Sequence, residues 1–117
     1  MLYAILRDDL SMTAGKASSQ AGHAFLDAFL TAPPDIATAY RADGEGTKIV
    51  LRAPDELALQ RAYRAARDAG LPCAIVTESG HVMPPHFDGK PIVTAVGIGP
   101  VPKSAARPIT KRLRLMN

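Results

Sequence analysis

Three polar side chains near the start of the chain have the spacing of one helix face. Lys16, Gln20 and His23 stand at positions i, i+4 and i+7, and 3.6 residues per turn bring such positions to one side of an α-helix. Lys16 falls in the first turn of that helix, where the positive end of the helix dipole disfavours a cation. A lysine there needs another reason, and binding an anion or an oxyanion is one. The alternative is a solvated stripe opposite an apolar one, and the spacing alone favours that alternative.

Other chemical patterns in the sequence are weaker. Gly15-Lys16 resembles the end of a phosphate-binding loop, but Leu10 stands where the first glycine of such a loop belongs. Ala17 replaces the serine or threonine that would bind magnesium. His81, His86 and Asp88 are metal-ligand types, yet they lie in a proline-rich stretch without a helix or strand to fix their geometry. Ordinary loop histidines are the simpler interpretation.

The sequence contains no clear serine or cysteine nucleophile with a paired base. Ser79, between Glu78 and the nearby His81, is only a weak candidate. Cys73, the one cysteine, sits in an apolar run and is most simply a core residue. A single cysteine also excludes an intrachain disulfide, which suits a reducing compartment.

The positive charge of the chain is concentrated near its end. The net charge is +3, and the last 17 residues carry five cations and no acid. A basic segment of this kind suits contacts with nucleic-acid phosphates, although a solvated terminal helix is the alternative. The five candidate phosphate ligands are Lys103, Arg107, Lys111, Arg112 and Arg114.

Length and composition indicate one globular domain, residues 1–117. The chain of 117 residues is 47% hydrophobic and 21% charged, which is typical of a folded domain of ordinary size. The first ten residues lack the basic and long apolar regions of a secretory signal. No run approaches the roughly 20 apolar residues of a membrane span. We therefore expect a cytoplasmic protein without a membrane partner.

Hydrophobic periodicity predicts alternating strands and helices. The predicted strands are 2–6, 48–52, 73–76 and 92–98, and the predicted helices are 13–30, 35–40, 54–69 and a C-terminal helix that contains Pro108. The order β-α-(α)-β-α-β-β-α predicts an α/β fold with helices on both faces of the sheet. The last two strands are joined by residues 78–91, which lack a helical pattern, so we expect them to be antiparallel and the four-stranded sheet to be mixed.

The same residues carry a resemblance to a known family. The segment Gly15-Lys16-x-x-x-Gln20-x-x-His23-Ala24 after a first strand resembles the signature helix of type 2 peptidyl-tRNA hydrolases. Residues 48–51 are similar to the second strand of that family, and residues 94–100 are similar to its last strand and Ile-Gly-Pro turn. Glu78-Ser79-Gly80 stands where the family has Asp-Ala-Gly, and the resemblance covers nearly the whole chain in the expected order.

The resemblance implies a hydrolase that cleaves the ester between a peptide and the terminal ribose of tRNA, without a metal or organic cofactor. It also implies that the protein often pairs as a homodimer. Lys16 would stabilise the oxyanion or bind a tRNA phosphate, and Gln20 and His23 would order the site and its water. Glu78 would position or activate water, and Thr94 would line the cleft. The basic tail would contact the tRNA backbone.

Two departures from the family pattern keep a second functional class open. Glu78 is one methylene longer than the family's aspartate, and the Gly-Arg-Thr that follows in the family appears here as Gly80-His81-Val82. The loop after it is also longer, which is typical of a lid or binding loop. The alternative to a peptidyl-tRNA hydrolase is a non-catalytic binding protein, or a hydrolase of another ester, on the same fold.

Overall fold

A computed structural model describes residues 1–42, 44–80 and 82–116 of the chain. The chain forms a main β-sheet with helices packed on each of its faces. The elements in chain order are β1 (Leu2–Arg7), α1 (Ala14–Thr31), α2 (Pro34–Ala42), β2 (Lys48–Ala53), α3 (Glu56–Asp68), β3 (Cys73–Glu78), β4 (Val82–Met83), β5 (Phe87–Asp88), β6 (Ile92–Ile98), α4 (Lys103–Thr110) and β7 (Arg114–Leu115).

The main sheet has five strands in the order β3-β6-β1-β2-β7. β1 and β2 are parallel, whereas β6 is antiparallel to both β1 and β3, and β7 is antiparallel to β2. The mixed sheet is therefore confirmed, but the prediction of four strands is wrong. The fifth strand was missed because β7 has only two residues, too few for any periodicity to show.

The sheet directions bring several strand ends to one side of the domain. β3 runs parallel to β1 and β2 because β3 is antiparallel to β6 and β6 is in turn antiparallel to β1. The last residues of these three strands, Arg7, Ala53 and Glu78, therefore lie at one edge, here called the carboxyl edge. The opposite edge, at Leu2 and Lys48, is called the amino edge. Ligands of open α/β sheets bind most often outside the carboxyl ends of the strands.

Each face of the sheet buries its own apolar cluster. Alternate residues of β1 point to opposite faces. Ala4 and Leu6 pack with Ala21 and Ala24 of α1, whereas Tyr3 and Ile5 face the cluster that contains α3 and α4 residues. The predicted helices on both faces are thus confirmed, and α1 packs against β1, β3 and β6.

The closest approach of α1 to the sheet depends on Gly97 in β6. A Cβ atom at Gly97 would overlap the carbonyl oxygen of Ala24 and lie 2.9 Å from the Ala28 Cβ. The expected result of Gly97→Ala is a loss of about 3 kcal/mol in the free energy of unfolding, because the backbone of α1 must move outward. Chemical denaturation measures this value.

Gly22→Ala is the matched control, since it adds the same methyl group to the outer side of α1. Nothing lies within 4 Å of its Cβ position, so better helix propensity should stabilise the protein by up to about 1 kcal/mol. Equal effects of the two substitutions would contradict the close packing at Gly97.

Candidate active site

The first turns of α1 bring Lys16 and Gln20 to the carboxyl edge. Thr13 caps the helix, because its hydroxyl oxygen accepts a hydrogen bond of 3.2 Å from the Lys16 backbone N–H. The prediction of a helix over 13–30 is confirmed to within one residue at each end. A cation in the first helical turn needs a nearby negative charge, and the strand next to α1 supplies it.

Glu78 is that negative charge. The Lys16 Nζ lies 2.9 Å from Glu78 Oε1, and both side chains are mostly buried. The Gln20 Nε2 donates to the other carboxylate oxygen, Oε2, at 3.2 Å. An amine and an amide from one helix therefore hold both oxygens of one carboxylate in a fixed orientation.

Thr94 fixes the orientation of Gln20. The hydroxyl of Thr94 donates to Gln20 Oε1 at 2.5 Å, so the amide nitrogen must point toward Glu78. Gln20 and Thr94 are 1% and 0% exposed, and they are the buried polar residues of the described chain. Buried polar groups are costly unless they are hydrogen-bonded, so this network defines one arrangement of the site.

An irregularity in the sheet explains how Thr94 reaches α1. Val76 pairs with Ala95, but the next residue of β3, Thr77, pairs with Val93. Thr94 is thus the extra residue of a β-bulge in β6, and bulges commonly re-aim side chains next to functional sites. The bulge allows Thr94 and the buried Ala95 to face α1 together.

The structure adds one residue that the sequence patterns did not single out. β4 and β5 form a two-stranded hairpin within the loop after Glu78. Phe87 of this hairpin is 1% exposed, and its ring centre lies 5.3 Å from Lys16 Nζ, within cation–π range. The signal for Phe87 was present, because it is the one aromatic residue in a polar, proline-rich loop.

His23 differs from the other members of the predicted face. It lies beyond Gln20 on α1 and is exposed, and its ring makes no hydrogen bond or ion pair with the described residues. The structure therefore joins Lys16, Gln20, Glu78 and Thr94 but leaves His23 outside the contact network.

The weaker alternatives receive no support from the described residues. They include no group of three histidine, cysteine or acidic side chains that could hold a metal ion, and His81 lies outside them. Cys73 is half-buried and burial raises the pKa of its thiol, which makes it a poor nucleophile. Within the same residues, no helix is long and apolar enough to cross a membrane.

The five basic residues of the tail are exposed but separated in space. Arg114 begins β7 at the carboxyl edge, opposite Arg52 of β2, and Arg112 lies just before it. Lys103 and Arg107 lie on α4, which starts near the amino edge after β6 ends. Arg112 and Arg114 are therefore on the side of Glu78 and Lys16, and Lys103 is not.

Two clefts bear on the position of the site. One, of about 620 Å³, lies toward the amino edge and is lined by Phe25, Leu26, Phe29 and Tyr40. A cleft of about 390 Å³ borders the first turns of α1 at the carboxyl edge, with Asp8, Met12, Ser18 and Met116 in its walls. We assign the chemistry to the carboxyl edge despite the smaller volume, because the buried polar network lies there.

The arrangement of Glu78 and Lys16 is suited to general-base and electrostatic catalysis. A carboxylate has about four acceptor positions, so Glu78 can bind a water in addition to Lys16 and Gln20. The Lys16 ammonium has three donors and can turn one toward an oxyanion. No serine or cysteine in the described chain hydrogen-bonds a histidine, so attack by an activated water fits the geometry best.

Replacing Thr94 with valine tests the network through stability. Thr94→Val keeps the shape but leaves the buried Gln20 Oε1 without its donor, which is expected to cost about 1–3 kcal/mol in the free energy of unfolding. Thr77→Val is the control, because Thr77 is exposed on the neighbouring strand and should change stability by less than about 0.5 kcal/mol. A neutral Thr94→Val variant would mean that the hydroxyl does not order Gln20.

Arg7 supports the start of β6 beside the network, and its contribution should depend on pH. Its guanidinium donates to the Val93 carbonyl at 3.1 Å and to both oxygens of Asp9. The hydrogen bond to Arg7 lowers the pKa of Asp9 from its ordinary 3.8. This part of the stability is therefore complete above pH 3.8 and is lost as the pH falls through the lowered value.

Arg7→Gln is expected to reduce the free energy of unfolding at neutral pH, and the difference from the unmodified protein should shrink as Asp9 becomes protonated. Urea unfolding of both proteins at neutral pH and near pH ~3 measures the change. A difference that stays constant would show that the ion pair with Asp9 contributes nothing.

The chain is similar to known proteins over nearly its whole length. A sequence model of the family described as Peptidyl-tRNA hydrolase PTH2 matches residues 1–116. A peptidyl-tRNA hydrolase of Methanocaldococcus jannaschii is 35% identical, with 96% of each chain covered. One of Pyrobaculum aerophilum is 37% identical over 94% of this chain and 92% of its own. Peptidyl-tRNA hydrolase 2 of Saccharomyces cerevisiae is 30% identical over 95% of this chain and 55% of its own. The chain belongs to the type 2 peptidyl-tRNA hydrolase family.

Proposed function

We propose that this protein hydrolyses the ester bond between the peptide and the terminal ribose of peptidyl-tRNA and releases free tRNA. The observation that carries the proposal is the network of Lys16, Gln20, Glu78 and Thr94 at the carboxyl edge. Membership of the family and the names of the relatives support the same reaction.

In the proposed mechanism Glu78 removes a proton from a bound water. The resulting hydroxide attacks the ester carbonyl carbon, and the Lys16 ammonium stabilises the negative charge that develops on the carbonyl oxygen. When the tetrahedral intermediate collapses, the carbon–oxygen bond to the ribose breaks, and the protonated Glu78 returns the proton to the leaving ribose hydroxyl. Water is the only co-reactant, so we propose that no cofactor takes part.

The other members of the site would act by positioning. Gln20 holds the second oxygen of Glu78, and Thr94 holds Gln20, so the carboxylate faces the water in one orientation. His23, exposed on the same helix, is proposed to help order the site and its water. Phe87 covers the Lys16 side chain and would restrict its ammonium to the Glu78 side.

The basic residues of the C-terminal segment are proposed to bind the tRNA backbone. Arg112 and Arg114 lie on the side of Lys16 and should contribute more than Lys103. Each phosphate contact that is lost lowers the salt dependence of binding. The proposed substrate also implies that the protein works in the cytoplasm, where translation takes place.

A direct assay tests the proposed reaction. Purified protein is mixed with N-acetyl-aminoacyl-tRNA, and release of deacylated tRNA is followed with time against a reaction without protein. The proposal predicts many turnovers per protein molecule. Binding of the tRNA without release would instead support the non-catalytic binding protein, and neither binding nor release would exclude both tRNA functions.

A homodimer is the assembly that we propose, with the exposed apolar residues of α1 as its contact surface. Leu26 and Leu30 are 57% and 69% exposed beside Phe25 and Phe29, and a self-complementary pairing would bury them. Sedimentation should give a dimer for the unmodified protein and a monomer for Leu26→Glu.

The matched control for the dimer surface is Leu57→Glu on α3. Leu57 is 58% exposed, almost the same as Leu26, but lies on the other face of the sheet. It should leave the dimer intact. A monomeric unmodified protein would contradict the proposed assembly, and equal dissociation by both variants would contradict the proposed surface.

A further inference from the structure

We infer that Arg52, together with Arg112 and Arg114, forms a binding site for a phosphate group of tRNA, apart from the hydrolytic network. The inference rests on the proposed function for the identity of the RNA. The site itself is argued from three features of the described residues: a pair of opposed arginines, an incompletely paired guanidinium and a cleft at the carboxyl edge.

The first feature is the register between β2 and β7. Arg52 and Arg114 are direct cross-strand partners, and like charges in that position repel each other. β7 has only two residues, both exposed, so little apolar burial offsets this repulsion. An anion between the two guanidinium groups would convert the repulsion into attraction.

The second feature is the incomplete pairing of Arg52. Its NH1 lies 3.6 Å from Asp8 Oδ2, which is longer than a hydrogen bond. Its Nε is buried and makes no hydrogen bond to the described chain. An arginine matches phosphate with two parallel N–H donors, and Arg52 keeps donor capacity for an anion because its Nε is unused by the described chain.

The third feature is the cleft in front of Arg52. Its volume is about 340 Å³, and its walls include Asp8, Pro54, Arg112 and Arg114. Three arginines against one half-exposed aspartate give the cleft a positive balance. The volume accommodates a phosphate group with part of its sugar.

The position of this cleft relates it to the reaction. Asp8 lines both this cleft and the one beside the first turns of α1, so the two clefts are neighbours at the carboxyl edge. Strands are spaced ~4.8 Å apart, which puts β2 roughly 10 Å from β6, the strand that carries Thr94. A phosphate at Arg52 would therefore belong to the acceptor end of the same tRNA whose ester reaches Lys16.

Binding of deacylated tRNA tests the inference without requiring hydrolysis. Fluorescence anisotropy over a range of salt concentrations compares the unmodified protein with Arg52→Gln and Arg52→Lys. Arg52→Gln is expected to weaken binding by about tenfold at low salt and to reduce the slope of log K against log salt by about 1. Arg52→Lys should keep most of the slope, because the positive charge remains.

The control is Arg61→Gln, which removes an exposed arginine from α3 with the same change in net charge. It should alter binding by less than about twofold, since only local phosphate contacts change the salt slope. Equal effects of Arg52→Gln and Arg61→Gln would overturn the inference. If Arg52→Gln does not fold, Arg114→Gln on the exposed edge strand tests the same site. It is expected to weaken tRNA binding by the same factor.

A thermal measurement separates a phosphate site from a structural role of Arg52. At constant ionic strength, inorganic phosphate should raise the unfolding temperature of the unmodified protein above that in chloride. The increase should disappear in Arg52→Gln. An equal increase in both proteins would show that phosphate does not bind at Arg52.

Further comparisons identify which phosphate binds and separate the inference from the proposed function. If removing the 5′-terminal phosphate from the tRNA weakens binding as much as Arg52→Gln does, the site binds that phosphate. If the removal has no effect on binding, the site binds an internal phosphate. If ester cleavage is absent but Arg52→Gln still weakens binding, the proposed reaction fails and the phosphate site stands. If cleavage is normal and Arg52→Gln behaves as Arg61→Gln does, only the phosphate site fails.

Discussion

Replacement of Glu78 by glutamine is expected to slow the release of tRNA by about 10²- to 10⁴-fold, the contribution of a positioned general base. Glutamine has nearly the same size and still reaches Lys16 and Gln20, but its amide cannot accept a proton from water. Initial rates with saturating N-acetyl-aminoacyl-tRNA measure the effect on turnover separately from tRNA binding.

The control for this substitution is Glu45→Gln, which makes the same chemical change near the amino edge. Glu45 is exposed and lies outside the contact network, so its rate should stay within about twofold of the unmodified protein. A Glu78→Gln protein with full activity would exclude Glu78 as the base, and the network would then be structural only.

Replacement of Lys16 by methionine is expected to lower the rate by about 10²- to 10³-fold, which is typical for the loss of one oxyanion donor. Methionine keeps the unbranched stem against Phe87 but removes the ammonium. Because the lost interaction forms mainly in the transition state, the maximal rate should fall more than the apparent affinity for substrate.

Lys48→Met provides the comparison for Lys16. The Nζ of Lys48 lies 5.5 Å from the centre of the Tyr40 ring, much as that of Lys16 lies 5.3 Å from Phe87, but at the amino edge. Its loss should not change the rate by more than about twofold. If Lys48→Met and Lys16→Met were equally slow, the effect would come from general charge rather than from the oxyanion.

Much of the fold was predictable because its elements follow simple periodic patterns. The long helix after Thr13 and the strand that begins at Ile92 have strong patterns, and both were predicted to within one residue. The strands β4, β5 and β7 were missed because each has only two residues. The pairing of such short strands is decided by tertiary contacts rather than by local sequence.

The sequence indicated which residue types form the site but not how far each side chain is buried. Helical spacing correctly brought Lys16 and Gln20 to one face, but spacing cannot say what covers that face. The sheet buries Gln20 completely and leaves His23 exposed. The bulge at Thr94 has no signature in the apolar run of β6, since it arises from the register with β3.

Glu78 shows how the longer side chain fits the site. The predicted strand ended at residue 76, but β3 continues to Glu78, so the carboxylate starts from a regular strand rather than from a loop. From there it reaches both Lys16 and Gln20. The extra methylene relative to the family's aspartate is therefore compatible with the contacts that the proposed mechanism needs.

The network also explains why stability and chemistry should respond differently to substitution. Lys16 and Glu78 are mostly buried but keep 14% and 24% of their side-chain surface exposed, so the charge left behind when either is removed can still reach water and costs less stability than it would in a fully buried pair. Thr94 and Gln20 are fully buried, and disturbing them should affect folding as well as orientation. The loss of rate is therefore expected to exceed the loss of stability for Lys16 and Glu78.

The most direct test of whether Lys16 and Glu78 act on one reacting ester is single-turnover cleavage of N-acetyl-aminoacyl-tRNA. Three proteins are compared: Lys16→Met, Glu78→Gln and the double variant. Groups that act as a unit are non-additive, so the double variant is predicted to be about as slow as the slower single variant. Rate losses that multiply in the double variant, or single variants as fast as the unmodified protein, would contradict a shared catalytic site at the carboxyl edge.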